Sequence, residues 1–462
     1  MSNRGVVVRV VAASLAAAAS LPAQPAEAEI RRILADRIDV RHVSIGMVAG
    51  VVTPKGRLVV SYGNLDRNGP RPVNGDTVFE IGSVTKVFTA LLLADMAVRG
   101  EVSLNDPVKK YLPRTVRVAE KDGRAITLVD LATHTSGLPF FPSNFPPVED
   151  RAAYSRYTAG QLYDSLSGAL PRTPGTRWEY SNTGGGLLGL ALARRAGMDY
   201  ESLVHARIAG PLGMASTAIA VSPQMTSRLA MGHDEQLEPA PQWDPPALPG
   251  AASLRSTAND LLDLLEGFLG YATSPLAPAM AAMPETSRSN EIFRIDQALG
   301  WFAIGKGDDR IFVHEGGTFG FASYLAYDPK NSTGVVVLSN AAGSVGDIAL
   351  HLLRASFPLE APKPRKQHRE IAVDAGLFDL YAGQYNPGGG WVYTVTHEGG
   401  ALRIQMPAAP KYRLFPETER DFFIKEADIQ VTFERDEKGR ATGLVLHLWG
   451  LNLPAKRLDA SK

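Results

Sequence analysis

The sequence predicts an α+β fold in which helices flank an antiparallel sheet, followed by a small C-terminal domain that is barrel-like and all-β. Strand patterns stand near the start and near the end of residues 29–358, whereas the part from Leu104 to about Gly270 alternates helical patterns with Pro/Gly-rich loops. Beyond residue 372 the apolar residues recur with a period of two, as in strands. The first domain is therefore expected to have a sheet closed by both of its ends, with an all-helical insertion beside it.

Composition limits the classes of function. A chain of 462 residues is long enough for two domains, and its 48 acidic residues balance 48 basic ones, so nothing predicts nucleic acid or an anionic membrane as a partner. The absence of cysteine excludes disulfides, thiolate metal sites and a cysteine nucleophile. The histidines are scattered without metal-ligand spacing. We expect no metal and no cofactor, and the sequence leaves the oligomeric state open.

Residues 1–28 have the parts of a cleavable secretory signal. Arg4 and Arg9 precede a short Ala/Leu/Val run, and Ala26-Glu27-Ala28 has the small-x-small pattern of a cleavage site. The alternative is an uncleaved membrane anchor, although the run is shorter than a bilayer crossing usually needs. The prediction is an exported protein, periplasmic or secreted, with no membrane span after signal cleavage.

The elements follow from the apolar patterns and their turns. In order, the sequence predicts a helix at 30–37, strands at 44–52 and 58–63, a buried helix ending at Gly100, strands at 298–304, 310–314, 321–327 and 334–340, and a helix at 348–355. Prolines and charges at 359–372 are typical of a linker. Residues 373–462 alternate as strands around Trp391, Leu402, Ile429 and Leu444, and form the small all-β domain.

The buried helix carries the first candidate for chemistry. Ser83 and Lys86 are three residues apart at its start, so on a helix their side chains face the same way. Gly82 and Ser83 suit the N-cap position. A lysine in apolar surroundings loses its proton readily, and the N–H groups at a helix start favour negative charge. The pair could therefore be a serine nucleophile with its base, or an ordinary solvated helix start.

Two further segments supply what this pair lacks. Tyr180, near a buried ammonium, is expected to have its anionic form favoured and to serve as base and then acid. Asn182 offers a carboxamide that can hold the lysine and a substrate amide together. His134 lies in a Thr-His-Thr-Ser-Gly loop, where a structural hydrogen bond is the expected role.

The third segment is His314-Glu315-Gly316-Gly317, at the end of a predicted strand. Its glycines let the backbone of a substrate approach closely. The N–H groups of Gly317 and Ser83 would together form a two-donor oxyanion hole, worth about 3 kcal/mol per donor.

The three segments Ser83-Val84-Thr85-Lys86, Tyr180-Ser181-Asn182 and His314-Glu315-Gly316 resemble the motifs of the serine β-lactamase and penicillin-binding protein superfamily, in its class C branch. The resemblance covers about residues 30–357 and includes sequence outside the three motifs, such as Val337-Leu338-Ser339-Asn340. It implies a serine hydrolase whose second domain is similar to the lipocalin-like β domains of some members. The residues it implies are Ser83, Lys86 and Tyr180 for catalysis, and Asn182, His314, Gly316, Gly317 and Asn340 for substrate binding.

One position departs from the class C pattern. Class C enzymes usually have Lys-Thr-Gly where this chain has His314-Glu315-Gly316, and His-x-Gly is similar to some D,D-carboxypeptidases, D-aminopeptidases and esterases. Because imidazole titrates near neutrality, anion binding by His314 is expected to be weaker and pH-dependent. The first expectation is hydrolysis of a β-lactam through an acyl-enzyme. The alternatives are cleavage of a D-amino-acid peptide or small ester, and a penicillin-binding sensor that stays acylated.

Overall fold

The computed structural model describes residues 25–146, 154–243, 247–290, 295–361, 368–387, 392–406, 411–425, 429–437, 439–448 and 451–458. Most of the predicted signal segment, residues 1–24, lies outside the described residues, as do residues 362–367 of the predicted linker. The helix Glu27–Ala35 begins two residues before Glu29, the first residue expected after signal cleavage. No helix of the described ranges is long and apolar enough to cross a bilayer.

An eight-stranded antiparallel sheet forms the centre of the first domain, with the order β2-β1-β10-β9-β8-β7-β6-β5. Strand β1 pairs with β2 on one side and with β10 on the other, so strands from the two ends of the domain lie side by side in one sheet, as predicted. A separate two-stranded sheet, β3-β4, was not predicted because each strand has only two residues. The strands are β1 (Gly46–Thr53), β2 (Gly56–Gly63), β3 (Phe79–Glu80), β4 (Arg255–Ser256), β5 (Ser287–Asn290), β6 (Ile295–Ala298), β7 (Trp301–Ile304), β8 (Ile311–Gly317), β9 (Ala322–Asp328) and β10 (Thr333–Ser339).

Helices cover both faces of this sheet. Every residue of β1 is buried, and alternate side chains enter two different cores: Val48 packs into the core with the central helix, and Ala49 into the core with the first and last helices of the domain. The helices are α1 (Glu27–Ala35), α2 (Thr85–Val98), α3 (Leu128–Ala132), α4 (Ala159–Ser165), α5 (Asn182–Ala196), α6 (Tyr200–Val204), α7 (Gly210–Leu212), α8 (Pro223–Thr226), α9 (Pro249–Ala252), α10 (Ala258–Leu269), α11 (Ala277–Ala282), α12 (Gly346–Leu353) and α13 (Gly376–Tyr381).

Helix α2 is the buried central helix that the sequence predicts. Its residues from Thr85 to Met96 are all buried, because the segment is apolar on nearly every side. Gly100 follows its C-terminus with φ of +71°, a left-handed conformation that glycine adopts without strain. The start of the helix differs from the expectation: residues Gly82–Val84 form a separate 3₁₀ turn, and no side chain caps α2.

The C-terminal domain is a closed eight-stranded barrel, which confirms the predicted barrel-like module. The first strand pairs with the last through Tyr385 and Arg457. Its interior is filled by buried apolar side chains such as Leu402, Val431 and Phe433. Four of the eight strands, β11, β14, β15 and β18, were not predicted. The barrel strands are β11 (Gly383–Asn386), β12 (Tyr393–Glu398), β13 (Ala401–Gln405), β14 (Lys411–Pro416), β15 (Asp421–Phe423), β16 (Ile429–Arg435), β17 (Ala441–Leu448) and β18 (Leu451–Arg457).

Candidate active site

Ser83 lies where the 3₁₀ turn Gly82–Val84 meets strand β8. Gly82 has φ of +48°, and a Cβ added to it would lie 2.7 Å from the backbone nitrogen of Gly317, so only glycine allows this close approach. The N–H of Ser83 stands at the start of a helical segment, where backbone donors lack partners within the helix. The sequence suggested that the Ser83 hydroxyl caps the helix, but no side chain caps α2. The hydroxyl contacts Lys86 instead.

Lys86 is buried, and its Nζ has three oxygen neighbours. They are the Ser83 Oγ at 3.1 Å, the Asn182 Oδ1 at 2.7 Å and the carbonyl oxygen of Ala251 at 2.8 Å. Burial lowers the pKa of Lys86 well below its ordinary value. In a neutral amine the two N–H bonds would point to the Asn182 and Ala251 oxygens, which can only accept. The lone pair then faces the Ser83 hydroxyl, as a general base requires.

Tyr180 completes the group around the serine. Its hydroxyl is hydrogen-bonded to Ser83, and the Nζ of Lys86 lies 4.7 Å from the centre of its ring. Burial raises the pKa of Tyr180 above its ordinary value, so the phenol keeps its proton. The sequence predicted that the phenolate would be favoured. This prediction was wrong, because burial disfavours both the phenolate and the lysine charge that would have supported it.

Asn182 is the first residue of helix α5, and Ser181 caps that helix by accepting a hydrogen bond from the N–H of Gly184. The backbone N–H of Asn182 donates to the carbonyl of Phe140 at 2.9 Å. These contacts fix the carboxamide whose oxygen accepts from Lys86. The structure therefore brings Asn182 to the lysine, as the sequence predicted.

The carbonyl of Ala251 was not predicted, because a backbone acceptor leaves no mark in residue type. The available signal was the glycine-rich start of α5. A Cβ on Gly185 would lie 3.1 Å from the Lys86 Cε, and one on Gly189 would lie 2.8 Å from the Gly250 Cα. The glycines thus let α5 approach both the lysine and helix α9, which carries Ala251.

His134 has the structural role that was expected. Its Nδ1 accepts a hydrogen bond from the N–H of Ser181 at 3.2 Å, and its ring lies 4.3 Å from that of Tyr180 between centroids. Burial, with a smaller contribution from the charge of Lys86, lowers the pKa of His134 well below its ordinary value. A neutral imidazole therefore supports one face of the tyrosine.

His314 lies at the site, but the prediction that it titrates near neutrality was wrong. Only 1% of the residue is exposed, and burial together with the charge of Lys86 lowers its pKa to about 3. Its Nδ1 donates to the carbonyl oxygen of Glu315 at 2.8 Å, which leaves Nε2 as an acceptor. Within the described part of the chain this Nε2 has no hydrogen-bond partner. His314 is therefore neutral and offers no positive charge to an anion.

This burial predicts a loss of stability in acid. The unfolded chain takes up a proton on His314 near pH 6.5, whereas the folded protein does so only near pH 3, so stability present above pH 6.5 is lost as the pH falls between these values. His314→Asn keeps an N–H for the Glu315 carbonyl but cannot be protonated. Between pH 7 and pH 4.5, the urea-unfolding free energy of the wild type should fall by about 2–3 kcal/mol more than that of the variant. Equal falls would contradict the assignment.

Gly316, the first residue after Glu315, sets the distance between the strand and the serine. A Cβ on Gly316 would lie 2.1 Å from the Ile81 carbonyl oxygen and 3.0 Å from the Ser83 nitrogen. Strand β7 pairs with β8 only as far as Val313, so His314–Gly317 form an open edge on that side. The backbone amides of Ser83 and Gly317 thus lie next to each other beside an edge that a substrate backbone can reach.

Asn340 is not part of this site, in contrast to the sequence-based expectation. The residue is fully buried, and its Oδ1 accepts from the N–H of Gly46 at 2.7 Å. Its amide nitrogen donates to the carbonyls of Asn64 and Leu65, both at 3.1 Å. With both halves of the carboxamide bound to backbone, Asn340 ties β10 to the hairpin instead of reaching a substrate.

Comparison with known proteins fits this geometry. A family model described as Beta-lactamase matches residues 29–357. The chain belongs to the β-lactamase family. The members of this family that act as hydrolases are serine hydrolases. A second model, for a domain of unknown function, matches residues 367–460 of this β-lactamase-family protein.

Individual relatives agree with the assignment. The D-alanyl-D-alanine-carboxypeptidase/endopeptidase AmpH of Escherichia coli (strain K12) is 32% identical over 319 residues, which are 66% of this chain and 81% of that protein. A class C β-lactamase from Rhodobacter sphaeroides has a TM-score of 0.61 at 29% identity, covering 71% of this chain and 98% of its own. An octameric penicillin-binding protein homologue from Pyrococcus abyssi, at 20% identity and a TM-score of 0.61, shares the fold over 93% of this chain and 99% of its own.

Proposed function

We propose that this β-lactamase-family protein hydrolyses amide bonds through an acyl-enzyme on Ser83. The observation that carries the proposal is the environment of Lys86, whose Nζ is buried between two obligate acceptors and the Ser83 hydroxyl. A neutral amine in that position has one free lone pair, and it faces the nucleophile. The proposal requires neither a metal nor a cofactor.

The reaction then follows from the positions of the protons. Ser83 Oγ attacks the carbonyl carbon while Lys86 takes the hydroxyl proton, and the N–H groups of Ser83 and Gly317 hold the resulting oxyanion. Tyr180, protonated because burial raises its pKa, gives its proton to the departing nitrogen and is reprotonated by Lys86. The C–N bond breaks and leaves an ester on Ser83. Water then attacks this ester: its proton passes by way of the Tyr180 hydroxyl to the neutral Lys86, which returns it to the Ser83 oxygen as the acid product leaves.

A β-lactam is the first candidate substrate, because the likeness to class C β-lactamases runs through both the fold and the motifs. The second candidate is a D-amino-acid peptide or a small ester. The neutral His314, which cannot attract a carboxylate, favours a small ester or a peptide whose leaving group has no carboxylate, whereas the carboxypeptidase/endopeptidase named among the relatives supports a peptide in general. A sensor that stays acylated is the third candidate.

Intact-protein mass spectrometry tests the proposal and separates these candidates. The wild type and Ser83→Ala would each be mixed with a chromogenic cephalosporin, a D-Ala-D-Ala peptide and a p-nitrophenyl ester, and adducts and turnover would be followed together. We expect adducts that form and clear in the wild type only. A penicillin adduct that never clears would favour the sensor, and adducts on Ser83→Ala would overturn the proposal.

Replacing Tyr180 by phenylalanine tests the proton path. The ring contacts with His134 and Lys86 remain, but the hydroxyl that reaches Ser83 is lost. We expect kcat/KM on an amide to fall by on the order of 10²–10⁴-fold, and to fall less on an ester with a good leaving group, which needs no proton. Tyr200→Phe, which removes a buried hydroxyl bonded to Thr89, is the matched control for loss of a buried phenol. Equal losses on amide and ester would contradict the assigned role.

The same proposal includes export and the division of the chain. The signal-like segment at 1–28 supports a periplasmic or secreted location, and 29–358, 359–372 and 373–462 are the proposed hydrolase domain, linker and β domain. N-terminal sequencing of the protein from the periplasm or medium would test the cleavage point. A chain that kept residue 1 would favour the membrane anchor.

A further inference from the structure

Glu315 is a charged side chain at the candidate site that the proposed mechanism does not use. It lies between His314 and Gly316 on the open edge of β8, two residues before the proposed oxyanion donor Gly317. Its side chain presents surface to solvent, but burial by neighbouring residues raises the pKa of the carboxyl above its ordinary value. Among the described residues the side chain has no ion pair or hydrogen bond. Its charge contributes to raising the pKa of Tyr180, so the carboxylate and the phenol are within electrostatic range of each other. Glu315 is thus a carboxyl group beside the site with no cationic partner among the described residues.

The neighbouring histidine adds a second unsatisfied acceptor. His314 Nε2 is buried without a hydrogen-bond partner in the described ranges, and its ring is neutral because Nδ1 donates to the Glu315 carbonyl while burial lowers its pKa. A buried acceptor without a donor is costly unless a ligand supplies one. The carboxyl of Glu315 on the open edge favours a ligand that carries positive charge and disfavours a carboxylate, and the neutral His314 supplies no cation that would attract one.

The direction along the strand identifies which half of the substrate meets Glu315. In the proposed reaction Tyr180 protonates the departing group, so that group must lie on the side of the phenol. The Tyr180 ring lies 6.5 Å from that of Phe302, which in turn lies 5.4 Å from the His314 ring between centroids, so the phenol stands at the His314–Glu315 end of the edge. Beyond Gly317 the chain continues to Phe319, whose half-buried ring lies 5.0 Å from that of Trp243 and 5.5 Å from that of Tyr154 between centroids. The opposite half of the substrate, the acyl group, therefore faces an aromatic cluster.

We propose that Glu315 selects substrates whose leaving group carries an ammonium, with an apolar acyl group directed towards Phe319 and Trp243. This specificity rests on the proposed acyl-enzyme function and extends it to a substrate class. The preferred leaving group is therefore cationic, whereas a site that recognises a carboxylate would prefer an anionic one.

Three thioesters of phenylacetic acid test the charge preference directly. The thiols are 2-(dimethylamino)ethanethiol, which is cationic, 2-methoxyethanethiol, which is neutral, and 3-mercaptopropionic acid, which is anionic. Release is followed with a chromogenic disulfide, to which the protein contributes no background because it has no cysteine. In the wild type we expect kcat/KM for the cationic thioester to exceed that for the anionic one by about tenfold or more, as expected for one charge pair in a partly solvated cleft.

Variants at Glu315 decide whether this residue causes the preference. Glu315→Gln should bring the cation/anion ratio of kcat/KM towards one, and Glu315→Lys should invert it. Asp308→Asn removes the same charge from an exposed position just before the other end of β8 and should leave the ratio unchanged. A wild-type preference for the anionic thioester, or a ratio that neither Glu315 variant changes, would overturn the inference.

The failure of the underlying function gives a different result. If Ser83→Ala released thiol from all three thioesters as fast as the wild type, the acyl-enzyme proposal would be wrong and the inference would fall with it. If release required Ser83 but showed no dependence on charge, the acyl-enzyme would stand and only the role of Glu315 would be lost.

Discussion

Ser83→Ala is expected to remove hydrolysis of every substrate, with kcat/KM lower by on the order of 10⁴-fold or more, since the nucleophile and its base act as one unit. The loss should fall on kcat, because the N–H groups of Ser83 and Gly317 and the edge of β8 remain in place to bind substrate. The measurement is steady-state kinetics, with mass spectrometry to verify that no acyl adduct forms.

The matched control is Ser167→Ala. Ser167 is exposed and its hydroxyl donates only to the backbone of Asp164, so kcat/KM should stay within about twofold of the wild type. Because Ser83 is part of a tight turn against β8, circular dichroism and thermal melting must accompany the kinetics. A folded Ser83→Ala protein that kept more than about a tenth of wild-type activity would exclude Ser83 as the nucleophile.

Lys86→Met has the second-largest expected effect. Methionine is a flexible side chain of similar length that fills the space without providing a proton acceptor. We expect kcat/KM to fall by on the order of 10³–10⁴-fold, with acylation slower than deacylation so that adducts accumulate less. Lys330→Met, at an exposed surface pair with Asp309, should have no effect beyond about twofold.

The pH dependence distinguishes a base from a merely structural lysine. Activity in the wild type requires the neutral amine, so the rate should fall as the pH drops through the pKa of Lys86, which burial holds well below the ordinary value of 10.5. The pH–rate profile of the wild type is therefore flat at alkaline pH and falls on the acidic side. The residual activity of Lys86→Met should not show this acidic fall. If the variant kept the same fall, the titrating group would be another residue.

The sequence located most of the site because its signals are local. Ser83 and Lys86 are one helical turn apart, and their contact at 3.1 Å follows from that spacing. Short motifs that resemble those of the family identified Tyr180, Asn182 and His314. Each motif lies at the end of an element that the apolar pattern predicts. Likewise, the position of β1 between β2 and β10 followed from the strand patterns at both ends of the domain.

Short elements and backbone groups were not predictable in this way. Strands β3 and β4 have two residues each, too few to show a period, and Ala251 acts through a carbonyl that any residue would provide. For Asn340 the sequence predicted a functional role that the structure does not support. Its position within a motif suggested substrate binding, but the fold turns its carboxamide onto the backbone of Gly46, Asn64 and Leu65.

By itself, then, the sequence determined which functional groups the chain carries and which of them stand one turn or one strand apart. The sequence also predicted that Lys86 in apolar surroundings would lose its proton readily, and burial does lower its pKa. Only the tertiary structure decided the other two groups: burial gives a protonated phenol and a neutral imidazole where the residue types had suggested a phenolate and a histidine that titrates near neutrality. The physical reason is that the free energy of a charge depends on the solvent and dipoles around it, and these are set by segments far apart along the chain.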